Sequence, residues 1–181
     1  MEANTTYGYW RVIARHCSYT IPEGFERPAY VGETPCPEDL NSLTIGQLIE
    51  IGEAGGADTD YRITSIVLGM DKDETDKCRA TEVVAFLSWT GRQVKRINRL
   101  FEQVQTKPTA KEKLAGVESL QFGLFGILDW YAKRMGITNH DDVLSVPWLR
   151  IYKCMDMDNK VEQYQRRYNE ISMNEARRKK K

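Results

Sequence analysis

Asp71, Asp73 and Thr75, followed by Glu82 at the twelfth position, copy several ligand positions of a calcium-binding loop. In such a loop, oxygens at alternate positions and a closing bidentate carboxylate surround the ion. The sixth position needs glycine for its sharp turn, and here it is Asp76, while Cys78 takes the apolar eighth position. These acids are therefore expected to form a solvated turn that caps the following helix. His16 beside Cys17 is a second candidate, because an imidazole lowers the pKa of a neighbouring thiol and both groups bind zinc. Adjacent strand residues point to opposite faces, so on a strand the two would not share a site. The only other histidine, His140, lies in a polar stretch beside Asp141 and Asp142.

Phosphate and acyl chemistry find less support. Gly52-x-x-Gly55-Gly56 follows a helical pattern rather than a strand and lacks the lysine of a phosphate-binding loop, so these glycines are read as a helix stop. Neither a GxSxG elbow nor an HExxH helix is present, and the acidic pairs are sequence neighbours that cannot flank a substrate as acid and base. No catalytic residue, metal or cofactor is expected, and the chain is read as a non-enzyme.

Two helical stripes remain as binding candidates. Arg92, Lys95, Arg96 and Arg99 form a basic face that, with the lysine-rich C-terminal run, could contact phosphates. Interleaved aromatic residues for base stacking are lacking, so a nucleic-acid-binding protein is an alternative only. On the final helix Val161, Tyr164, Tyr168 and Ile171 recur at alternating spacings of three and four, flanked by Glu162, Arg166, Arg167 and Glu170. Such a seam packs either on the protein's own body or on a partner helix, and spacing alone leaves both open. Trp148 and Tyr152 precede it on the same helix and join it as candidate partner contacts.

The elements that must position these residues are mainly helical. Between residues 9 and 31, Trp10, Val12, Ile13, Tyr19, Ile21, Tyr30 and Val31 are broken by Pro22, Gly24 and Pro28, which predicts one or two short strands. Gly32 to Asn41, with Pro35 and Pro37, reads as an irregular connection. Thr44 precedes Gln47 by three residues, the capping-box spacing, with Leu43 and Leu48 as hydrophobic staple, so a helix starts there and stops at Gly55-Gly56. Ile63, Ile66, Val67 and Met70 predict a short helix. A long amphipathic helix follows over 81–105, with Gly91 as a weak point. A second runs over 110–135, burying Leu114, Val117, Leu120, Leu124, Ile127, Leu128 and Tyr131 and ending before Gly136. After a capped turn over 139–144, Pro147 starts the final helix, which pauses and resumes after Asp158. The fold class is mainly α, with a short N-terminal β element. Residues 1–37 are a β-containing lead-in, 38–175 a helical domain, and 176–181 a basic, unstructured tail.

Composition agrees with a folded, soluble chain. Its 181 residues suit one compact domain, or a small domain with a helical appendage. Lys plus Arg and Asp plus Glu are 26 each, so the net charge is zero and no bulk positive field draws the chain to nucleic acid or an anionic membrane. No apolar run of roughly 18 residues or secretory leader pattern is seen, and cytoplasmic localisation is expected. Cys17, Cys36, Cys78 and Cys154 are scattered and read as free thiols.

A short β lead-in precedes a Leu-Thr-Ile-Gly-Gln-Leu-Ile-Glu-Ile helix start at residues 43–51. A second helix ends near Leu68 to Met70, and a long helix ends Ile-Asn-Arg-Leu-Phe. Further on come Phe-Gly-Leu-Phe-Gly-Ile-Leu-Asp-Trp-Tyr-Ala-Lys-Arg-Met-Gly, an acidic turn and Val-Pro-Trp. Over residues 38–175 this order resembles the tail assembly chaperones of long-tailed bacteriophages, in which a Leu-Thr-x-Gly-Gln helix start is frequent. The resemblance implies a non-enzymatic role: binding the tape-measure protein, a long helical and aggregation-prone polypeptide, and recruiting tail-tube subunits to it. It implies action in the host cytoplasm and absence from the mature virion. Phe122, Phe125 and Trp130 join the final-helix seam as candidate client contacts, and self-association is a further option. In that family the gene often ends at a programmed frameshift, and Lys179-Lys180-Lys181 fits an A-rich slippery run. A structural virion component, such as a head-tail connector, is the other alternative.

Overall fold

The structure is a computed structural model and describes residues 5–16, 24–104, 108–120 and 122–179. The described residues form nine α-helices and one two-stranded antiparallel sheet, so the protein is mainly α with a small β element. None of these helices is long and apolar enough to cross a membrane. The chain divides into two compact units, Met1–Ile97 and Asn98–Lys181, a boundary inside the 38–175 segment that periodicity reads as one body.

In the first unit, helix α1 spans Tyr7–His16, where short strands were expected from residue 9. Its inner residues Tyr7, Trp10, Arg11 and Ala14 recur at helical spacing, and contacts to residues some fifty positions on outweigh the strand preference of its aromatic and β-branched side chains. Tyr19 and Ile21 lie outside the described residues. Strands β1 (Tyr30–Val31) and β2 (Thr34–Pro35) pair Tyr30 with Pro35 and Val31 with Thr34, so part of the expected irregular connection is a hairpin.

Helix α2 (Ile45–Glu53) begins as its sequence predicts. The Thr44 side chain accepts from the Gln47 backbone N–H (3.1 Å), and Gln47 Oε1 accepts from the Thr44 N–H (2.9 Å). It stops at Glu53, just ahead of Gly55-Gly56. Helix α3 (Thr59–Leu68) realises the predicted short helix. The calcium-like acidic stretch folds as helix α4 (Lys72–Lys77), in which Asp71 and Glu74 form a second capping box, so the acids cap a helix rather than encircle an ion.

Helix α5 (Ala80–Gln103) runs through Gly91 without a break. Its first half is buried nearly all round, with Val83, Val84, Phe86 and Leu87 at the centre of the first unit's core.

In the second unit the expected long helix over 110–135 is three pieces. Helix α6 (Ala110–Leu114) is followed by a 3-10 turn at Val117–Ser119 and then helix α7 (Gly123–Met135). Gly116 (φ 83°) and Gly123 (φ 52°) occupy the left-handed region, which an α-helix cannot continue through. The break overturns the expected burial: Leu114 is 90% exposed, and Leu120 and Leu124 are exposed as well, whereas Leu128 and Tyr131 are core. Helix α8 (His140–Leu144) is capped by Asn139. Helix α9 (Trp148–Lys179) follows Pro147 and continues without the pause expected at Asp158. It also carries Arg177, Arg178 and Lys179 of the basic run in helical form, correcting the expectation of an unstructured tail from residue 176; Lys180 and Lys181 lie outside the described residues.

Candidate functional site

Helix α9 carries two stripes. Trp148, Ile151, Tyr152, Met155 and Asn159 are buried or half-buried, and Glu162 and Arg166 continue that side. Trp148 and Tyr152 pack on Phe101, with ring centroids 6.1 and 5.9 Å away. At 2% exposure Trp148 is core, which corrects its expected place among the partner contacts; Tyr152 is half-buried beside it. Met157, Val161, Tyr164, Tyr168 and Ile171 form the other stripe and are each 55 to 63% exposed. At 100° per residue the two stripes are about 170° apart, so packing of the first turns the second outward. Tyr164 and Tyr168 stack on each other, centroids 6.3 Å apart.

Beside α9, the start of α7 rims a cleft of about 670 Å³. Leu120, Phe122, Ile127 and Trp130 line one side, and Met155, Asp158 and Glu162 of α9 the other. Leu120, Phe122 and the neighbouring Phe125 are 60, 67 and 62% exposed. Gly126 sets the shape here, because a Cβ at that position would lie 2.8 Å from the Phe122 Cβ. The acidic lining groups are held by arginines. Arg134 donates to Asp158 Oδ2 at 2.6 Å and lies over the Trp130 ring, and the hydrogen bond to Asp158 raises its pKa further. Arg166 bridges Glu162 (2.6 Å) and Glu112 of α6 (3.1 Å). Glu112 also closes a capping box with Thr109, and those hydrogen bonds, with Arg166, hold its carboxyl below the usual range.

The other sequence candidates do not form a reacting constellation among the described residues. His16 ends α1, exposed, and Cys17 lies outside the described set. His140 hydrogen-bonds Asp129 (3.2 Å) and its ring lies 5.1 Å from that of Phe125; Lys133 and then His140 keep the Asp129 carboxyl low. Burial pushes the Cys36 and Cys78 thiols up, away from the reactive thiolate. No group of three or more His, Cys, Asp or Glu among the described residues is placed to hold a metal. On the basic face, Arg92 donates to Ser88 Oγ (2.8 Å) and to the Phe25 carbonyl, while Lys95, Arg96 and Arg99 are exposed.

Sequence reasoning missed a polar cluster in the first unit. The Tyr7 hydroxyl and Arg11 Nε (2.6 Å) both donate to Asp60 Oδ2; Arg11 also reaches the Ala57 carbonyl and lies 4.2 Å over the Tyr61 ring. Tyr61 donates to Asp76 at 2.5 Å. Burial, then the hydrogen bond to Asp76, pushes the Tyr61 hydroxyl up to about 12, and burial with Asp60 raises that of Tyr7. Only long-range contacts assemble this cluster, which ties α1 to α3 and α4.

The surface beside α7 and α9 is apolar, outward-facing and edged by charges already paired. Comparison of the chain with protein-family models, with curated proteins and with solved structures finds no match.

Proposed function

We propose that the protein is a non-enzymatic assembly chaperone that shelters an apolar helical client, in the manner of the phage tail assembly chaperones its sequence resembles. The observation that supports this most is the exposure of Leu120, Phe122 and Phe125 around the α7–α9 cleft, where a protein that works alone would bury such side chains. The cleft volume suits the few anchors one helix face presents at i, i+3 and i+4. Its charged lining groups, Asp158 and Glu162, are already paired with Arg134 and Arg166, so the cleft offers a client helix mainly apolar contact. In this account the client is the tape-measure protein, tail-tube subunits are recruited to the complex, and the chaperone acts in the host cytoplasm and is left out of the finished virion. A nucleic-acid role is not favoured, because Arg92, the first residue of the basic face, is committed to Ser88 and the Phe25 carbonyl.

The test is co-expression with the tape-measure candidate encoded downstream. The client is expected to become soluble and to co-purify, and Phe122→Asp with Trp130→Ala to abolish both while circular dichroism stays unchanged. A client that remains insoluble, or that the variant retains equally well, would overturn the proposal.

A further inference from the structure

The outward stripe of α9 follows a heptad: Val161 and Tyr168 take a positions, and Met157, Tyr164 and Ile171 take d positions. The inner stripe holds the helix to its own unit, so no rotation of α9 can bury the outer one. Beyond Glu162, only Arg166 is even half-buried through Lys179. A helical stretch of this length with so little packing is marginal in water, and its apolar seam needs a cover.

We propose that the cover is a second copy of this chain, its α9 packed antiparallel along the seam about a two-fold axis beside Arg166. Three features of the helix support that occupant and that direction. First, the seam is self-complementary: reversal sets Val161 against Ile171 of the second copy and Tyr164 against its Tyr168, so four tyrosines meet at the axis and aliphatic pairs flank them. Second, charge is graded along the helix. Residues 148–162 balance Asp156, Asp158 and Glu162 against Arg150, Lys153 and Lys160. From Arg166 onward, Arg166, Arg167, Arg177, Arg178 and Lys179 outnumber Glu170 and Glu175. Antiparallel pairing separates the two basic ends, each lying beside residues 153–155 of the other copy. Parallel pairing would stack Glu175 on Glu175 and Arg178 on Arg178 in the seam and gather both basic ends. Third, five large side chains more than half exposed contribute on the order of 1,000 Å² over two copies, the size at which an interface becomes specific. The antiparallel arrangement creates one like-charge contact, Arg167 against its own copy at a g position, exposed and screened by salt.

Sedimentation equilibrium of the full chain without any client tests this, so it is independent of the chaperone proposal. The wild-type chain is expected to sediment as a dimer of 20.9 kDa subunits. Tyr164→Asp with Tyr168→Asp, which adds charge to an exposed face and leaves the Trp148 packing intact, should raise the dissociation constant about 100-fold or more. Arg167→Gln should tighten the dimer a few-fold, an effect no loss of folding can mimic and one a parallel pair, in which Arg167 meets Ser172, would not show. A wild-type chain that stays monomeric at about 100 μM, or a dimer untouched by the aspartates, would overturn the second copy as occupant. A dimer indifferent to Arg167→Gln would overturn the antiparallel direction.

Discussion

Replacing Asp60 by alanine strips α1 of its main anchor. Arg11 donates to both Asp60 oxygens, at 2.6 and 3.0 Å, and the Tyr7 hydroxyl donates to the same carboxylate. The two charged side chains are only 12 and 16% exposed. Removing one member of a fully buried pair costs about 3–5 kcal/mol, because the other charge is left desolvated. Here Asp58, 3.0 Å from Arg11 and 75% exposed, and the Ala57 carbonyl remain as partial substitutes, which lowers the expected loss to about 2–3 kcal/mol. Urea unfolding followed by the fluorescence of Trp10, which stacks on Tyr7, measures it. Glu50→Gln is the matched control: its pair with Arg62 spans 3.5 Å and is half exposed on both sides, so it should cost less than about 0.5 kcal/mol. Equal losses for the two substitutions, or a loss at Asp60 below about 0.5 kcal/mol, would refute the argument that burial gives this pair its weight.

Other substitutions probe separate features. The Thr90 hydroxyl is buried with no hydrogen-bond partner among the described residues, so Thr90→Val should stabilise the protein by about 1 kcal/mol in the same urea assay. Gly126→Ala drives a Cβ against Phe122; about 1–3 kcal/mol of overpacking, partly offset by the better helix propensity of alanine, should leave a net loss of about 1 kcal/mol and a misplaced Phe122 that weakens client capture. At alkaline pH, the unfolded chain releases the Tyr61 proton near 10 while the folded chain holds it to about 12, so stability should fall across that window. Tyr61→Phe should flatten the fall seen in urea titrations at stepped pH.

Local signals in the sequence proved sufficient where the interaction itself is local. The Thr44 and Gln47 capping box spans three residues and needs nothing distant, so the start of α2 could be read directly. Helix α1 could not, because its anchor Asp60 lies 49 residues from Arg11 and strand propensity was the only nearby signal. The spacing from Leu114 to Leu128 fitted one helix, but Gly116 and Gly123 turn the chain left-handed and leave Leu114 and Leu120 in solvent. Periodicity identifies a stripe without telling what covers it. For α9 the seam was legible from Val161 to Ile171, yet its outward direction depends on the parallel stripe from Trp148 to Asn159 that packs on Phe101 and its surroundings. The cleft beside Trp130 had no sequence signature beyond its aromatic content, since it forms only when α7 and α9, with α8 between them in the chain, come side by side.

Amide hydrogen exchange of the full chain, alone and with the co-purified client, tests the central claim most directly. Client binding in the α7–α9 cleft predicts slowed exchange over residues 122–130 and the facing turn of α9 around Met155 to Asn159, with little change over Arg92 to Arg99. Unchanged exchange at the cleft, or protection confined to the basic face of α5, would contradict it.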